Sequence, residues 1–499
     1  MSKGEKKKYI FFTFPLYFLY QPPKKVYNDS IYNKEVTLMK HVMDRYFDEI
    51  VQSSVDLIRF DSSRKDAEGE NGEYPFGKET ADCLAYFLNL AQSFGFETHN
   101  YDNYVGEVVF GQGEDFAILA HLDVVPAGNG WKYPPFGGVI NDDVSEGGVA
   151  GTKIWGRGAL DDKTPAVVCL YALKALKDEG FTPKRTIKLI VGCNEESGWE
   201  CIAHYNKVAK MPDEGFTPDC DFPVIYAEKG ILHFTARFAI NDAPMSALNA
   251  GKAANMVCDQ ATAILTRVAE HALVGYENKI EGTALSYDNT PAVLRAQGKS
   301  AHGSTPHLGA NALEALMAFL ASVNDDCKFA YEILFEDVLG LKELCDETGY
   351  LTMSPNVATF SDGVLAITTD IRFPATFAKE TILEQLEKAG VEYVIEHAQA
   401  PLYNDPEGTL ISTLAKVYND ATGKDTKPIA IGGGTYARAL KCGCGFGPEE
   451  DGDEMTIHQP NEYVTFDKIR FMSKIYYDAI KQLTKPKTIR IGWVKVKKS

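Results

Sequence analysis

The chain has 499 residues, 45% hydrophobic and 24% charged, with a formal net charge of -18 at pH 7. That length exceeds what one hydrophobic core usually holds, so two or three domains are expected, and the composition is that of a soluble globular protein. The acidic balance excludes general nucleic-acid binding, which needs a basic face; ten cysteines without dense, even spacing exclude a disulfide scaffold and point to a reducing, cytoplasmic setting.

The first residues, KKKYIFFTFPLYFLY, join a basic segment to an apolar run that is too short to span a bilayer. They resemble the first two parts of a signal peptide, but QPPKK follows where a small-residue cleavage site would stand. Residues 1–30 are therefore expected to be an extension outside the fold, and the basic tail IGWVKVKKS carries no signal. Val36, Met39, Met43, Tyr46, Phe47, Ile50 and Val51 recur at helical spacing, and Thr80 to Leu90 predicts a second helix. FAILA at 116–120 is a continuous apolar run of the kind that forms strands buried on both faces, and His121 falls at its end. Pro165 opens the helix PAVVCLYALKALKDE and Gly180 closes it. TIKLIVG then leads into Asn194, Glu195 and Glu196. Strand, helix, strand in this order predicts a parallel sheet.

After Lys229 the pattern changes. LHFTARFAI alternates as a strand, helices are predicted over Ala253 to Ala269 and Asn311 to Val323, and VLAITTDIRF is again a strand. This is the pattern of an inserted α+β domain. The first domain resumes near Pro401 with the helix TLISTLAKVYNDA, then IAIGGGTYARAL and the His458 segment. The expected architecture is α/β: a mostly parallel sheet flanked by helices, built from 31–230 and 400–499, with 231–399 inserted.

Several polar residues sit just past apolar runs or glycine turns, where parallel-sheet enzymes place reactive groups. In His121-Leu122-Asp123 the two polar side chains of an extended segment face the same way. The imidazole can bind a metal while the carboxylate orients it, although His-x-Asp alone is as well read structurally. Asp161 follows the turn Gly156-Arg157-Gly158 and could bridge two cations or cap the next helix. Glu195 and Glu196 raise each other's pKa unless a cation neutralises them, which suits one as ligand and the other as general base; solvated surface glutamates are the alternative. Asp219 in TPDCD and His458 in MTIHQPNE are unremarkable singly. Together the set suits two borderline cations such as zinc, held by mixed nitrogen and oxygen ligands.

In their order, HLDVVPAG, WKYPPF, GRGALDDK, CNEESG, TPDCDFPVIYAEKG, GKSAHGSTPHLGANA, DIRFP, IGGGTYAR and MTIHQPNE resemble the M20 family of metallopeptidases, and within it the PepV-like and Sapep-like dipeptidases. The resemblance implies two divalent metal ions, zinc or else manganese or cobalt. One would be held by His121, Asp161 and Asp219, the other by Asp161, Glu196 and His458, with Asp161 as the bridge. It further implies that Glu195 is the general base, that Asp123 steadies His121, and that the inserted domain is a lid whose His302 polarises the scissile carbonyl. Arg372, Asn255 and the backbone of Gly432, Gly433 and Gly434 would hold the substrate's carboxylate end. Relatives usually read Asp-Asp-Lys-Gly where this chain has Thr164, which adds bulk beside the bridging acid. The expected activity is hydrolysis of unblocked dipeptides by a cytoplasmic monomer with small peptides as partners and neither nucleic acid nor membrane. An N-acyl amino acid amidohydrolase with the same metal site, and a metal-free binding protein on the same fold, are the alternatives.

Overall fold

The computed structural model describes residues 41–289 and 292–485. The N-terminal apolar run, Val36, Met39 and the basic tail lie outside the described residues. None of the described helices is long and apolar enough to cross a membrane.

The strand Glu114–His121 forms because Phe116, Ala117, Ile118, Leu119 and Ala120 are all fully buried, which demands a neighbour on each side and a layer on each face. Arg185–Gly192 pairs with it in parallel from Glu114↔Arg185 to His121↔Gly192. Glu214–Thr217 pairs in parallel on its other side. Gly215 allows that approach, since a Cβ there would meet the Ala117 carbonyl oxygen at 2.2 Å. Cys442–Gly445 continues the parallel run beside Glu214–Thr217. Among the described residues this sheet has nine strands. It is parallel in its centre; Glu97–Tyr101 and Val105–Gly111 flank one side antiparallel, and on the other Ile225–Glu228 pairs antiparallel with Leu402–Tyr403 and parallel with Ile429–Ile431.

The helix predicted from Pro165 runs Lys163–Asp178, with Pro165 in its first turn and Gly180 just past its end at φ 72°. It packs between the sheet strand Glu114–His121, Phe47–Ile58 and Phe466–Thr484. The helix predicted around 80–90 spans Lys78–Ser93. The first predicted helix starts, among the described residues, as a 3-10 turn, Val42–Tyr46, before Phe47–Ile58 buries Ile50, Val51, Val55 and Ile58.

A second, eight-stranded sheet contains Gly230–Ala239, Met245–Ala250, Gln260–Leu265, Ala284–Asn289, Ala292–Gln297, Thr352–Ser361, Val364–Phe373 and Glu392–Gln399, with every neighbouring pair antiparallel. Ala312–Ala321 and Asp325–Leu334 pack with it around a core of its own that includes Leu248, Leu294, Leu316, Phe319 and Leu365. Asn311 caps the first of these helices, accepting from the Leu313 and Glu314 amides. The helix expected over Ala253 to Ala269 does not form. Gln260–Leu265 is a strand there, with burial alternating along it, and only Arg267–Leu273 is helical. The alanines Ala261 and Ala263 suggest a helix by propensity, but their two-residue spacing puts both on the buried face of a pleated strand. The chain passes from one sheet to the other through Lys229 and returns through Ala400 and Pro401.

Candidate metal centre

Three adjacent parallel strands bring their carboxyl ends to one edge, and each delivers a polar side chain there. Glu114–His121 ends on His121, Arg185–Gly192 is followed by Glu195 and Glu196, and Glu214–Thr217 by Asp219. Register makes the first two neighbours, because His121 lies opposite Gly192. Asp161 arrives from the loop before Lys163–Asp178, and His458 from the loop before Tyr463–Thr465. His458 has φ 61°, a left-handed conformation uncommon for a residue other than glycine.

The two imidazoles approach opposite oxygens of one carboxylate. His121 Nε2 lies 3.0 Å from Asp161 Oδ1 and 3.3 Å from Asp219 Oδ2. His458 Nε2 lies 2.8 Å from Asp161 Oδ2 and 3.2 Å from Glu196 Oε1. Ligand atoms of His121, Asp161 and Glu196 fall within 4.8 Å of one another. His121 Nε2 and Asp161 Oδ1 are buried and stand 3.0 Å apart, yet neither makes a well-directed hydrogen bond, a cost that buried polar atoms rarely carry unless something else satisfies them. Nitrogen and carboxylate oxygen donors converging in this way fit divalent cations of the zinc, manganese or cobalt kind.

Charge at the cluster is out of balance. Burial pushes Glu196 up to about 7, helped by Asp161, raises Asp219, again with Asp161, and raises Glu195 well above the carboxylate range, with Asp219, Glu196 and Asp123 adding to it. Burial opposes a charge on His458, yet Asp161 and Glu196 outweigh it and lift the imidazole to about 11. His121 is likewise raised against its burial by Asp123, Asp161 and Asp219. Without metal the carboxylates can relieve their repulsion only by holding protons, on themselves or on the imidazoles.

Around the cluster the supports are mostly backbone. His121 Nδ1 lies 3.0 Å from the main-chain oxygen of Asp123 and 3.6 Å from its Oδ1. The Asp123 carboxylate accepts instead from the Glu195 and Glu196 amides, at 2.9 and 3.1 Å. Asp161 is not the helix cap; Asp162 stands at that position, and its Oδ2 accepts from the His121 amide at 3.1 Å. Thr164 is fully buried and its Oγ1 has no hydrogen-bond partner. Two residues outside the expected set complete the surroundings. Glu462 accepts from Arg157 Nη1 at 2.6 Å and from the Leu160 and Asp161 amides at 2.9 and 3.3 Å, so the His458 segment braces the Asp161 loop. Trp199 donates its indole N–H to Glu195 Oε1 at 3.2 Å. A tryptophan four residues after the candidate base was the available signal.

Arg372 lies on the strand Val364–Phe373 of the second sheet, and Asn255 and His302 lie on loops between its strands. His302 Nδ1 lies 2.6 Å from the Ser304 hydroxyl and 3.2 Å from the Ser304 amide, and where it accepts from them the ring proton sits on Nε2. Burial, and then the Arg372 charge, lower the His302 pKa, which favours the neutral ring. Asn255 is exposed; its carbonyl accepts from the Gly303 amide at 2.7 Å, beside the same turn. Arg372 is buried and binds Asp370 through Nε and Nη2, at 2.8 and 3.0 Å, so Nη1 takes no part in that pair. At the glycine loop, a Cβ on Gly432 would lie 3.5 Å from the Ser304 Cβ, and one on Gly434 3.0 Å from Arg438 Nε. Only at the latter position would a side chain press on a neighbour, and the Arg438 guanidinium would have to shift to admit it.

Comparison with known proteins gives the family and the fold. Residues 117–482 match the peptidase family M20/M25/M40. A protein of Staphylococcus saprophyticus whose assigned name is that of a dipeptidase is 33% identical over 471 residues, covering 88% of this chain and 97% of its own. One of Staphylococcus aureus with the same kind of name is 33% identical over 477 residues, covering 89% and 99%. Among solved structures, the fold is similar to that of the dipeptidase Dug1p from Saccharomyces cerevisiae, at 14% identity, 89% and 98% coverage and a TM-score of 0.53. It is similar as well to aminoacylhistidine dipeptidase from Vibrio alginolyticus, at 13% identity, 87% and 96% coverage and a TM-score of 0.53. With a family match across residues 117–482 and relatives a third identical over nearly their whole length, the chain belongs to peptidase family M20/M25/M40.

Proposed function

We propose that the protein is a metal-dependent dipeptidase that takes unblocked dipeptides. His121, Asp161 and Asp219 hold one divalent cation, and Asp161, Glu196 and His458 the other. The observation that carries this reading is the placement of two imidazole nitrogens against the two oxygens of Asp161, each with a further carboxylate beside it. Bound there, the cations would polarise the scissile carbonyl and lower the pKa of a water.

The chain's own groups do the rest. Glu195 is adjacent to the cluster but outside its ion pairs, and its raised pKa suits a group that accepts a proton from water and returns it to the leaving amine. Trp199 fixes which oxygen of Glu195 is turned away from the indole. Neutral His302 offers an Nε2 proton to the carbonyl oxygen as negative charge develops on it. Arg372 Nη1 and the Gly432–Gly434 backbone receive the substrate's carboxylate, with Asn255 beside them. The dipeptidase names of relatives a third identical over nearly the whole chain support the substrate class.

The test is a panel of free and N-acylated dipeptides, assayed after chelation and again after return of zinc, manganese or cobalt. Hydrolysis of the free dipeptides, restored by metal, is expected. Turnover of the N-acylated compounds alone would replace the reading by an amidohydrolase.

A further inference from the structure

One guanidinium bonds to both crossings between the sheets and to the glycine loop. Arg438 lies in the short 3-10 turn Tyr436–Ala439, after the glycine loop. Its Nε donates to Glu228 Oε2 at 2.5 Å, the last residue of Ile225–Glu228 before the chain leaves the first sheet. Its Nη2 donates to the Lys229 carbonyl at 2.6 Å, on the outgoing crossing, and to the Gly433 carbonyl at 3.0 Å. Its Nη1 donates to the Ala400 carbonyl at 3.0 Å, on the returning crossing. Glu228 is also held by the Thr435 amide at 3.0 Å and by the Thr435 hydroxyl at 2.5 Å. The outgoing crossing is bound to the loop once more, through the Lys229 amide and the Ile431 carbonyl at 3.0 Å.

The ion pair is buried, with side-chain exposures of 6% for Arg438 and 0% for Glu228. Pairs of this kind are poor sources of stability, because desolvation offsets their attraction, and they are better understood where they specify a geometry. The geometry here is planar and forked, which an arginine can satisfy and a lysine ammonium cannot. Gly434 lacks a Cβ where one would press on this guanidinium, while Gly432 at the other end of the loop faces Ser304, the residue whose amide orients His302.

We infer that Arg438 is a positioning residue that joins both inter-sheet crossings to the Gly432–Gly434 loop, so that lid orientation and the substrate-facing loop are set together. Its consequence for turnover rests on the dipeptidase reading; the mechanical coupling does not.

The test uses the full, metal-loaded protein with Arg438→Met and Arg438→Lys. Hydrogen exchange is followed in residues 225–232, 398–403 and 430–435, alongside metal content, kcat and KM on a dipeptide that the wild type hydrolyses. In Arg438→Met, exchange is expected to rise in all three segments together, while Glu114–His121 and Val364–Phe373 keep their protection and metal content is unchanged. kcat is expected to fall on the order of tenfold to a hundredfold, as misplacement of a reacting group does. Arg438→Lys should show the same pattern more weakly, and it decides the matter if the methionine variant does not fold. Unchanged exchange in any of the three segments, a kcat within about twofold of wild type, or loss of protection throughout the first sheet overturns the inference. Failure of the wild type to cleave any dipeptide removes the dipeptidase reading, and the exchange pattern then decides the coupling alone.

Discussion

The two sheets each bury a cluster of charged side chains, and the clusters differ in whether they balance themselves. On the second sheet, Asp370 is fully buried but held below the usual carboxylate range, because His233 and Arg372 outweigh its burial. Arg372 binds it with two hydrogen bonds and His233 Nε2 stands 3.4 Å away. On the first sheet, Asp161, Asp162, Glu195, Glu196 and Asp219 share His121 and His458, and of these acids only Asp161 is held below its ordinary value. The first cluster leaves four of its five acids raised, which is the imbalance that the proposed cations would relieve, whereas the second has Arg372 in its own sequence. A buried carboxylate group that side chains leave unneutralised is thus a better marker of a metal site than any one histidine.

Asp161→Asn attacks that contrast hardest, since both proposed cations lean on this residue. Activity should drop to background and metal analysis should find both sites depleted; full occupancy in the variant would remove Asp161 from the bridge. Glu195→Ala should keep its metal and lose turnover by about 10²- to 10⁴-fold, the usual worth of a positioned base. Unchanged turnover would sink that role. His302→Ala, in the balanced half of the molecule, should also keep its metal and lose about 10²- to 10³-fold in kcat, as removal of one oxyanion donor does; a change in KM alone would assign the ring to binding.

The smallest effect concerns Glu449, another acid at the margin of the unbalanced cluster. Burial, and then Asp221, Asp219 and Asp453, push it up to about 8 from an ordinary 4.5. A raised carboxyl pKa means that the folded chain keeps a proton that the unfolded chain has already lost. Its contribution to stability therefore worsens as pH rises from 4.5 towards 8 and stays unfavourable above. In metal-free protein, Glu449→Gln should raise Tm by more at about pH 9 than at about pH 5.5. Equal shifts at both would show that the acid is not perturbed.

Much of the first sheet's contribution was legible because it is local. FAILA followed by His121, and TIKLIVG followed by Glu195 and Glu196, each place candidate site residues one to four positions beyond a buried strand. The rest depends on distant partners. Arg157 and Glu462 are 305 residues apart in sequence, and nothing near either announces the other. The same holds for Arg438 and Glu228, separated by 210 residues. Asp123 was read as an orienting carboxylate from its spacing, yet its main-chain oxygen lies nearest His121 Nδ1 while its carboxylate holds two amides. At 253–269, alanine-rich composition favoured a helix over the two-residue alternation that burial imposes on Gln260–Leu265.

Metal titration of chelated wild-type protein, with bound metal and dipeptide hydrolysis measured on the same samples, reaches the centre of these conclusions most directly. Uptake of two ions per chain, with hydrolysis returning as the sites fill, is the predicted result. Hydrolysis that persists in metal-stripped protein, or a chain that takes up no metal at His121, Asp161, Asp219, Glu196 and His458, would contradict it.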